Sequence, residues 1–416
     1  MTDYKPLVRY NSFRNSIIFP SRVASGLLPD FAAAVNIWQK RKRGNSLILD
    51  FSNVDKAFAN GMLGVIAIVT ELRRQGSVVD IHLPTTESAR TFFATTSWTH
   101  LLNPAYKDGY KPNRKHFVKH FGSFEEIPPI INHFMEIIIG HIQMPKDVLA
   151  ALEWSITEIC DNVINHAESE TGGFLQVIAY PQNDLVAFTV ADAGKGILQS
   201  LKEGVPALTT DLEAIEEAIK VGVTRNKNAG QGNGLAGTLR ITTMTGGSLD
   251  ILTGTGRLLL EKEDQRTFNS STKRFPGTCV SGQIKMSHEF SVVEALSFGP
   301  IDYTPYTIVD AKYEKEEEDA LYFKVSEQVE GAGTRAAGRE LRIKVLNLLN
   351  AKPDYPIYVD WEDVGIIASS FADEFLGKLF VEIEQSKFES IIRPINMNEI
   401  VEHIISKAIT ERSATG

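Results

Sequence analysis

The chain opens with an alternation of strand-like and helix-like apolar patterns. "SLILDF" (46–51) reads as a strand, and "NGMLGVIAIVTELRRQG" (60–76) spaces its apolar residues as an amphipathic helix. "VVDIHLP" (78–84) reads as a second strand, so this stretch predicts a βαβ unit. The Pro-, Tyr- and Lys-rich "NPAYKDGYKPNRKHF" (103–117) reads as a linker. Leu152, Ile156, Ile159 and Val163 then lay one apolar stripe along a long helix predicted over about 144–167. Strands "FLQVIAY" (174–180) and "LVAFTV" (185–190) follow, joined by the turn-forming "PQND".

After a glycine-rich, poorly periodic region, "GSLDIL", "GRLLLE" and "GTCVSGQIKM" read as antiparallel strands. Beyond about residue 290 the alternation returns. A strand near Leu321–Val325 comes after the charge run "KYEKEEED" (312–319), which reads as a solvated edge. Helix 335–350, strand 355–361, helix 369–384, the strand "SIIRPIN" and a last helix complete the chain. Helices followed by runs of strands in the middle argue for α+β rather than a doubly wound sheet. The predicted divisions are 1–117, 118–290 and 291–416; the outer two share a layout without a strong residue-level repeat.

Composition narrows the function. The 416 residues carry a net charge of −9, with a pI near 5.6. That argues against a general nucleic-acid or anionic-membrane binder, which needs a basic footprint. The basic "QKRKRG" (39–44) reads as a solvated loop before a strand. Cys160 and Cys279 are the only cysteines, which excludes a disulfide framework and suits a reducing cytoplasm. The longest apolar run, "IIIGHI" (137–142), is too short to cross a bilayer.

Against that background "EICDNVINH" (158–166) stands out, because Asp and Asn are mediocre helix formers. Glu158, Asn162 and His166 are four apart and share a helix face opposite the apolar stripe. Such a face is either solvated surface or the wall of a cleft for a metal and phosphates; the helix alone leaves both open. "DAGKG" sets Asp192 after an apolar strand with Gly194 and Gly196 behind it, where a carboxylate accepts from an amino group and small residues admit a flat ring. "NAGQGNGLAG" (228–237) is rich enough in glycine to turn backbone N–H groups toward phosphates. No GxxxxGK[ST] occurs. Gly232, Gly234 and Gly237 satisfy GxGxxG, but the dinucleotide reading needs a strand immediately before, and "DLEAIEEAIKVG" is helix-like.

Glu-x-x-x-Asn on a helix, Asp-x-Gly-x-Gly after a strand, a Gly-x-Gly-x-Gly lid, then "GG" (246–247) and "GT" (277–278) occur here in one order. In this the middle third resembles the Bergerat ATP-binding fold of the GHKL superfamily, which includes gyrase, histidine kinases and anti-sigma-factor kinases. The resemblance implies an α+β chain. At its centre would be a Bergerat α/β sandwich, a mixed sheet covered by helices, flanked by two α/β STAS-like domains. It implies ATP and Mg2+ as cofactors. Asn162 would coordinate Mg2+, Glu158 would orient or deprotonate the attacking water or hydroxyl, and Asp192 would read the adenine amino group with help from Thr278. Gly194 and Gly196 would let adenine pack closely, and Gly230, Gly232 and Gly234 would close over the phosphates. Asp161 and His166 would lie at the cofactor, with a structural hydrogen bond the other reading of His166. Arg225 would reach a phosphate and Lys195 would face solvent.

His133 and His141 lack the setting of a phosphoacceptor histidine, and gyrase's transducer domain with its catalytic lysine is not evident, so the layout is closest to the small anti-sigma kinases. "RAAGREL" and "IYVDWEDVGIIASSFADEFLGKLF" resemble STAS-like domains related to anti-sigma-factor antagonists. There a serine at the strand–helix junction is the kinase substrate, which makes Ser370, ahead of Ser369, the candidate phosphoacceptor; capping the helix is the other reading. The first segment resembles the same fold more faintly, with Asn60 and Gly61 at that junction. The resemblance implies a Mg-dependent protein serine kinase or partner-switching regulator, with STAS-domain or sigma-factor-like partners. An ATP-gated switch or ATPase that phosphorylates no protein remains open, as do a degenerate scaffold and a homodimer.

Overall fold

The computed structural model describes residues 8–41, 44–106, 117–220, 222, 233–261, 265–298, 303–329 and 331–414. Most of the predicted linker, part of the basic loop and the lid residues Arg225, Gly230 and Gly232 lie outside these. The chain is mixed α+β with several sheets. It divides into two compact units: Met1–Ile131 with Ala151–Thr304, and Asn132–Ala150 with Pro305–Gly416.

The first unit holds two main sheets. One has the order Arg9–Asn11, Ser16–Ile18, Ser46–Asp50, Val78–His82; the first pair is antiparallel and the rest parallel. Helices Leu28–Lys40 and Ala59–Arg74 make the crossovers, so the predicted βαβ unit is present with a hairpin strand added. Leu47 and Leu49 are buried while Ile48 between them is only half-buried, the alternation expected of a strand.

The other sheet has the order Ser248–Leu260, Arg266–Lys285, Leu185–Asp192, Gly173–Tyr180, Val118–Phe121. The expected mixed sheet is corrected here: each of these neighbours pairs antiparallel. "GSLDIL" and "GRLLLE" are also not separate strands. They are one strand through Leu260, irregular in register at Gly254, whose φ of 57° suits glycine and lets the chain bulge without ending the ladder. Buried side chains of the two crossover helices and both sheets form one continuous core: Phe31, Met62 and Val65 cluster with Leu47 and Leu49 of the first sheet and with Phe174, Ala191, Leu252 and Cys279 of the second. Each large apolar side chain buried there contributes about 1.5–3 kcal/mol.

Helix Lys146–Asn162 carries the predicted stripe, with Leu152, Ile156, Ile159 and Val163 all buried. It ends earlier than the pattern predicts, passing into a wider π turn over Val163–Ala167; Glu168 then turns the chain with φ 50°.

The second unit has a sheet in the order Glu314–Lys315, Ala320–Lys324, Ile357–Asp360, Ile392–Ile395, again one antiparallel pair followed by parallel pairs. Its crossovers are helix Arg335–Ala351 and a helical stretch from Ser369 to Glu382 interrupted by a π turn at Asp373–Gly377. The topology repeats that of the N-terminal sheet, and the repeat extends to hydrogen bonds. Phe51 N donates to His82 O and Val54 N to Phe51 O; Trp361 N donates to Ile395 O and Val364 N to Trp361 O. Asp50 and Asp360 each accept from the backbone N–H two residues on. On this register Phe58 matches Ala368, each the N-cap of its helix, and Asn60 matches Ser370.

Helix Ile127–His141 has no counterpart in the predicted elements. In the second unit its later residues are fixed by polar side chains. Lys344 donates to Glu136 (2.8 Å), as does Tyr313 OH (2.7 Å), and Asn347 donates to Ile139 O and Ile142 O while accepting from Met144 N. No helix among the described residues is long and apolar enough to cross a membrane.

Candidate functional site

The site is built on the C-terminal half of helix Lys146–Asn162, whose apolar stripe fixes which way Glu158, Asp161 and Asn162 are presented. All three are half-buried. Burial pushes the Glu158 carboxyl up to about 7, with the Asp161 charge adding to it, and burial also raises Asp161. The polar face is therefore a partly dehydrated wall rather than open surface.

Gly234 begins helix Gly234–Met244 and abuts this wall. A Cβ at Gly234 would stand 2.7 Å from Glu158 Oε2 and 3.3 Å from Asn162 Nδ2. The last glycine of the lid sequence thus meets the acid-and-amide pair. Arg225, Gly230 and Gly232 precede it, outside the described residues.

Asp192 ends strand Leu185–Asp192 and is 2% exposed. Burial raises its carboxyl to about 7, although the N–H groups of Gly194 and Thr278 bond to it and pull the other way. Gly194 has no room for a side chain, since a Cβ would overlap Ala167 O. Lys195 N donates to that same oxygen at 2.8 Å. Gly196 has φ 78°, and a Cβ there would lie 2.8 Å from Thr253 Oγ1. Thr253 Oγ1 donates to Gly277 O (3.0 Å), accepts from Ile197 N (3.1 Å) and lies 3.3 Å from Thr278 Oγ1. Thr253 escaped the sequence reading. Its tie to Thr278 comes from strand register, 25 residues apart in the chain, and only the bulge glycine after it hinted at anything unusual.

Segment Glu158–Ala167 therefore meets both halves of the predicted constellation. Its helix end touches Gly234, and its π turn holds the Asp192–Gly196 loop through Ala167. His166 lies in that π turn, half-buried. Lys195, expected to face solvent, is half-buried, and its ammonium bridges the exposed Glu168 and Glu203, each at 2.6 Å.

In the second unit, Ser370 is half-buried in the first turn of its helix. The capping reading is corrected: Ala368 is the N-cap and no side chain caps that helix. Among the described residues no group of three or more His, Cys, Asp or Glu side chains is placed to hold a metal ion. Chemically, the first unit's site offers a carboxylate able to take a proton near neutral pH, an amide oxygen of the hard type that suits Mg2+, and a separate buried carboxylate beside small residues.

Residues 337–402 match the family described as a STAS-like domain of unknown function (DUF4325), so the chain carries a C-terminal STAS-like domain. A search of curated proteins finds no match to the chain.

Proposed function

We propose that the first unit binds Mg-ATP and that the chain is a nucleotide-dependent regulator acting with STAS domains, its reaction being phosphoryl transfer to a serine. The observation that carries this is the convergence on one segment: Gly234 against Glu158 and Asn162, and the Asp192–Gly196 loop against Ala167. The residues fit the cofactor. Asn162 would hold Mg2+ through its amide oxygen, a hard ligand of the kind magnesium takes. Gly194 and Gly196 let the loop after Asp192 pack tightly on Ala167 and Thr253, which fixes where the Asp192 carboxylate stands to accept from an adenine amino group.

When bound, Mg-ATP supplies the phosphoryl group and the charge that Mg2+ offsets. Glu158 then takes the proton of the attacking hydroxyl. ATP would supply the phosphoryl group to that oxygen, with ADP as the leaving group. A carboxylate near 7 is well matched to this task at neutral pH. The matching C-terminal domain makes a STAS-domain serine the favoured acceptor, either Ser370 or one on a partner. Glu158 serves a water molecule equally well, and that makes ATP hydrolysis without protein phosphorylation the second reading.

Incubation with radiolabelled ATP and Mg2+, followed by mass spectrometry for phosphoserine on wild type and Ser370→Ala, separates the readings. Label on Ser370 or a STAS partner supports transfer, and inorganic phosphate without label supports hydrolysis. Absence of nucleotide binding by calorimetry sinks both.

A further inference from the structure

The back of the candidate site is as specifically built as its front. Successive strand residues point to opposite faces of a sheet. Thr253, Thr278 and Asp192 serve the site; their chain neighbours Leu252, Cys279 and Ala191 lie in the core shared with the N-terminal layer. Helix Leu28–Lys40 of that layer packs on strand Arg266–Lys285, and helix Ala59–Arg74 on Arg266–Lys285 and Leu185–Asp192. The start of the second helix is seated by polar contacts. Cys279 Sγ donates to Asn60 O, and Asn60 Nδ2 donates to Ser25 Oγ, both at 3.5 Å. Ser25 Oγ donates to Asp250 Oδ2 (2.5 Å), and Arg257 spans both Asp250 oxygens (2.8 and 2.9 Å) while donating to Ser25. Ser25 and Asp250 are buried, so this network is sensitive to any added charge. At Gly61 a Cβ would stand 2.8 Å from Ala24 backbone atoms, which leaves the seat no slack.

We propose that the N-terminal layer is the resident regulator of the nucleotide site: its seat on strands Leu185–Asp192, Ser248–Leu260 and Arg266–Lys285 sets nucleotide affinity, and loosening the seat weakens binding. The proposal rests on the nucleotide reading given above. Asn60 stands where the second unit has Ser370, so the seat sits at a position that takes no phosphate in this copy.

Coupling between sites is reciprocal, so it is legible from either end. The test measures Mg-ATP affinity by calorimetry and backbone amide exchange of residues 59–64 by mass spectrometry, on the full chain. In wild type, saturating Mg-ATP slows exchange at 59–64. Asn60→Asp places a second carboxylate two hydrogen bonds from Asp250 and weakens Mg-ATP binding about fivefold or more, the usual scale of such coupling, while Asn60→Ser stays within about twofold. If wild type binds Mg-ATP but exchange at 59–64 does not respond, the regulator reading is overturned and the pocket stands, whether or not Asn60→Asp folds. If Asn60→Asp folds and binds as wild type does, the reading is likewise overturned. If wild type binds no Mg-ATP, the pocket and its regulator fall together.

Discussion

Gly234 and Glu158 meet so closely that a single methyl group at residue 234 would stand 2.7 Å from the Glu158 carboxylate. The helix that starts at Gly234 and the helix that ends at Asn162 are thus fitted through a missing side chain, with Asn162 Nδ2 on the same spot.

Gly234→Ala therefore tests the geometry directly. The obstacle is a side chain able to swing, so the fold survives while Glu158 is displaced. Turnover of ATP, as phosphate release or serine labelling, is expected to fall 10-fold or more, roughly the scale of a misplaced catalytic group. Thermal stability should drop by about 1 kcal/mol or less, in line with modest overpacking at an adjustable contact. An unaltered rate would remove Glu158 from the chemistry.

Glu158→Gln asks about the proton rather than the position. The amide keeps size and hydrogen bonding but cannot take a proton, so turnover should fall by about 10²- to 10⁴-fold. Nucleotide affinity should hold or rise, since a raised carboxyl in a partly buried wall gains from neutralisation. Rates across pH 5 to 9 provide the check. Wild type should gain activity as Glu158 ionises around its raised value of about 7, and the variant's residual rate should lack that rise.

Much of this site was legible because its parts are local. The stripe through Ile156, Ile159 and Val163 orients Glu158 and Asn162 by helix period alone, and Asp192 with Gly194 follows a strand whose apolar run marks its end. What was not legible depends on pairing between distant segments. Thr253 reaches Thr278 only through strand register, and the all-antiparallel order of the five strands depends on Val118–Phe121, a short strand hidden behind a polar stretch. The outer layers repeat one another in turn hydrogen bonds at Phe51 and Trp361, with side-chain identity only at scattered positions such as Asp50 and Asp360, and so no strong residue-level repeat was visible. The ion pairs of Lys195 were not legible either, because its two glutamates lie eight and 27 residues away.

Asp192 makes stability pH-dependent with a definite sign. Its folded value of about 7 lies above the ordinary 3.8, so the folded state holds a proton that the unfolded state has released. Stability from this group is complete below about pH 4 and is lost as pH rises through about 7. Asp192→Asn removes that slope. Without nucleotide, the variant's melting temperature relative to wild type should climb between pH 5 and pH 8; on the proposed reading Mg-ATP should reverse the order, because an amide oxygen is a weaker acceptor for the adenine amino group than a carboxylate. A wild-type-minus-variant difference that stays flat across this range would mean Asp192 is ionised in the folded protein.

In the second unit, Lys344 is 3% exposed and holds Glu136, which also accepts from Tyr313 and Lys312. Burial alone would raise the Glu136 carboxyl, but the ammonium groups and hydroxyl around it bring it below the ordinary range. Removing Lys344 takes one cation from half-buried Glu136 and leaves it Lys312 and Tyr313, so Lys344→Met is expected to destabilise this unit by about 1–3 kcal/mol. Glu136→Gln in that background should recover part of the loss, because the carboxylate left with one cation fewer is gone while Tyr313 keeps a hydrogen-bond acceptor. With Glu136 held low in the folded state, its contribution is present above its unfolded value and fades as pH falls through the folded one, so the Lys344→Met penalty should shrink toward pH 4. Amide exchange along helix Arg335–Ala351 reads this unit locally: accelerated exchange in Lys344→Met, partly reversed in the double variant, is the expected pattern. Equal exchange in the single and double variants would show that packing of the lysine stem, rather than its charge, secures the helix.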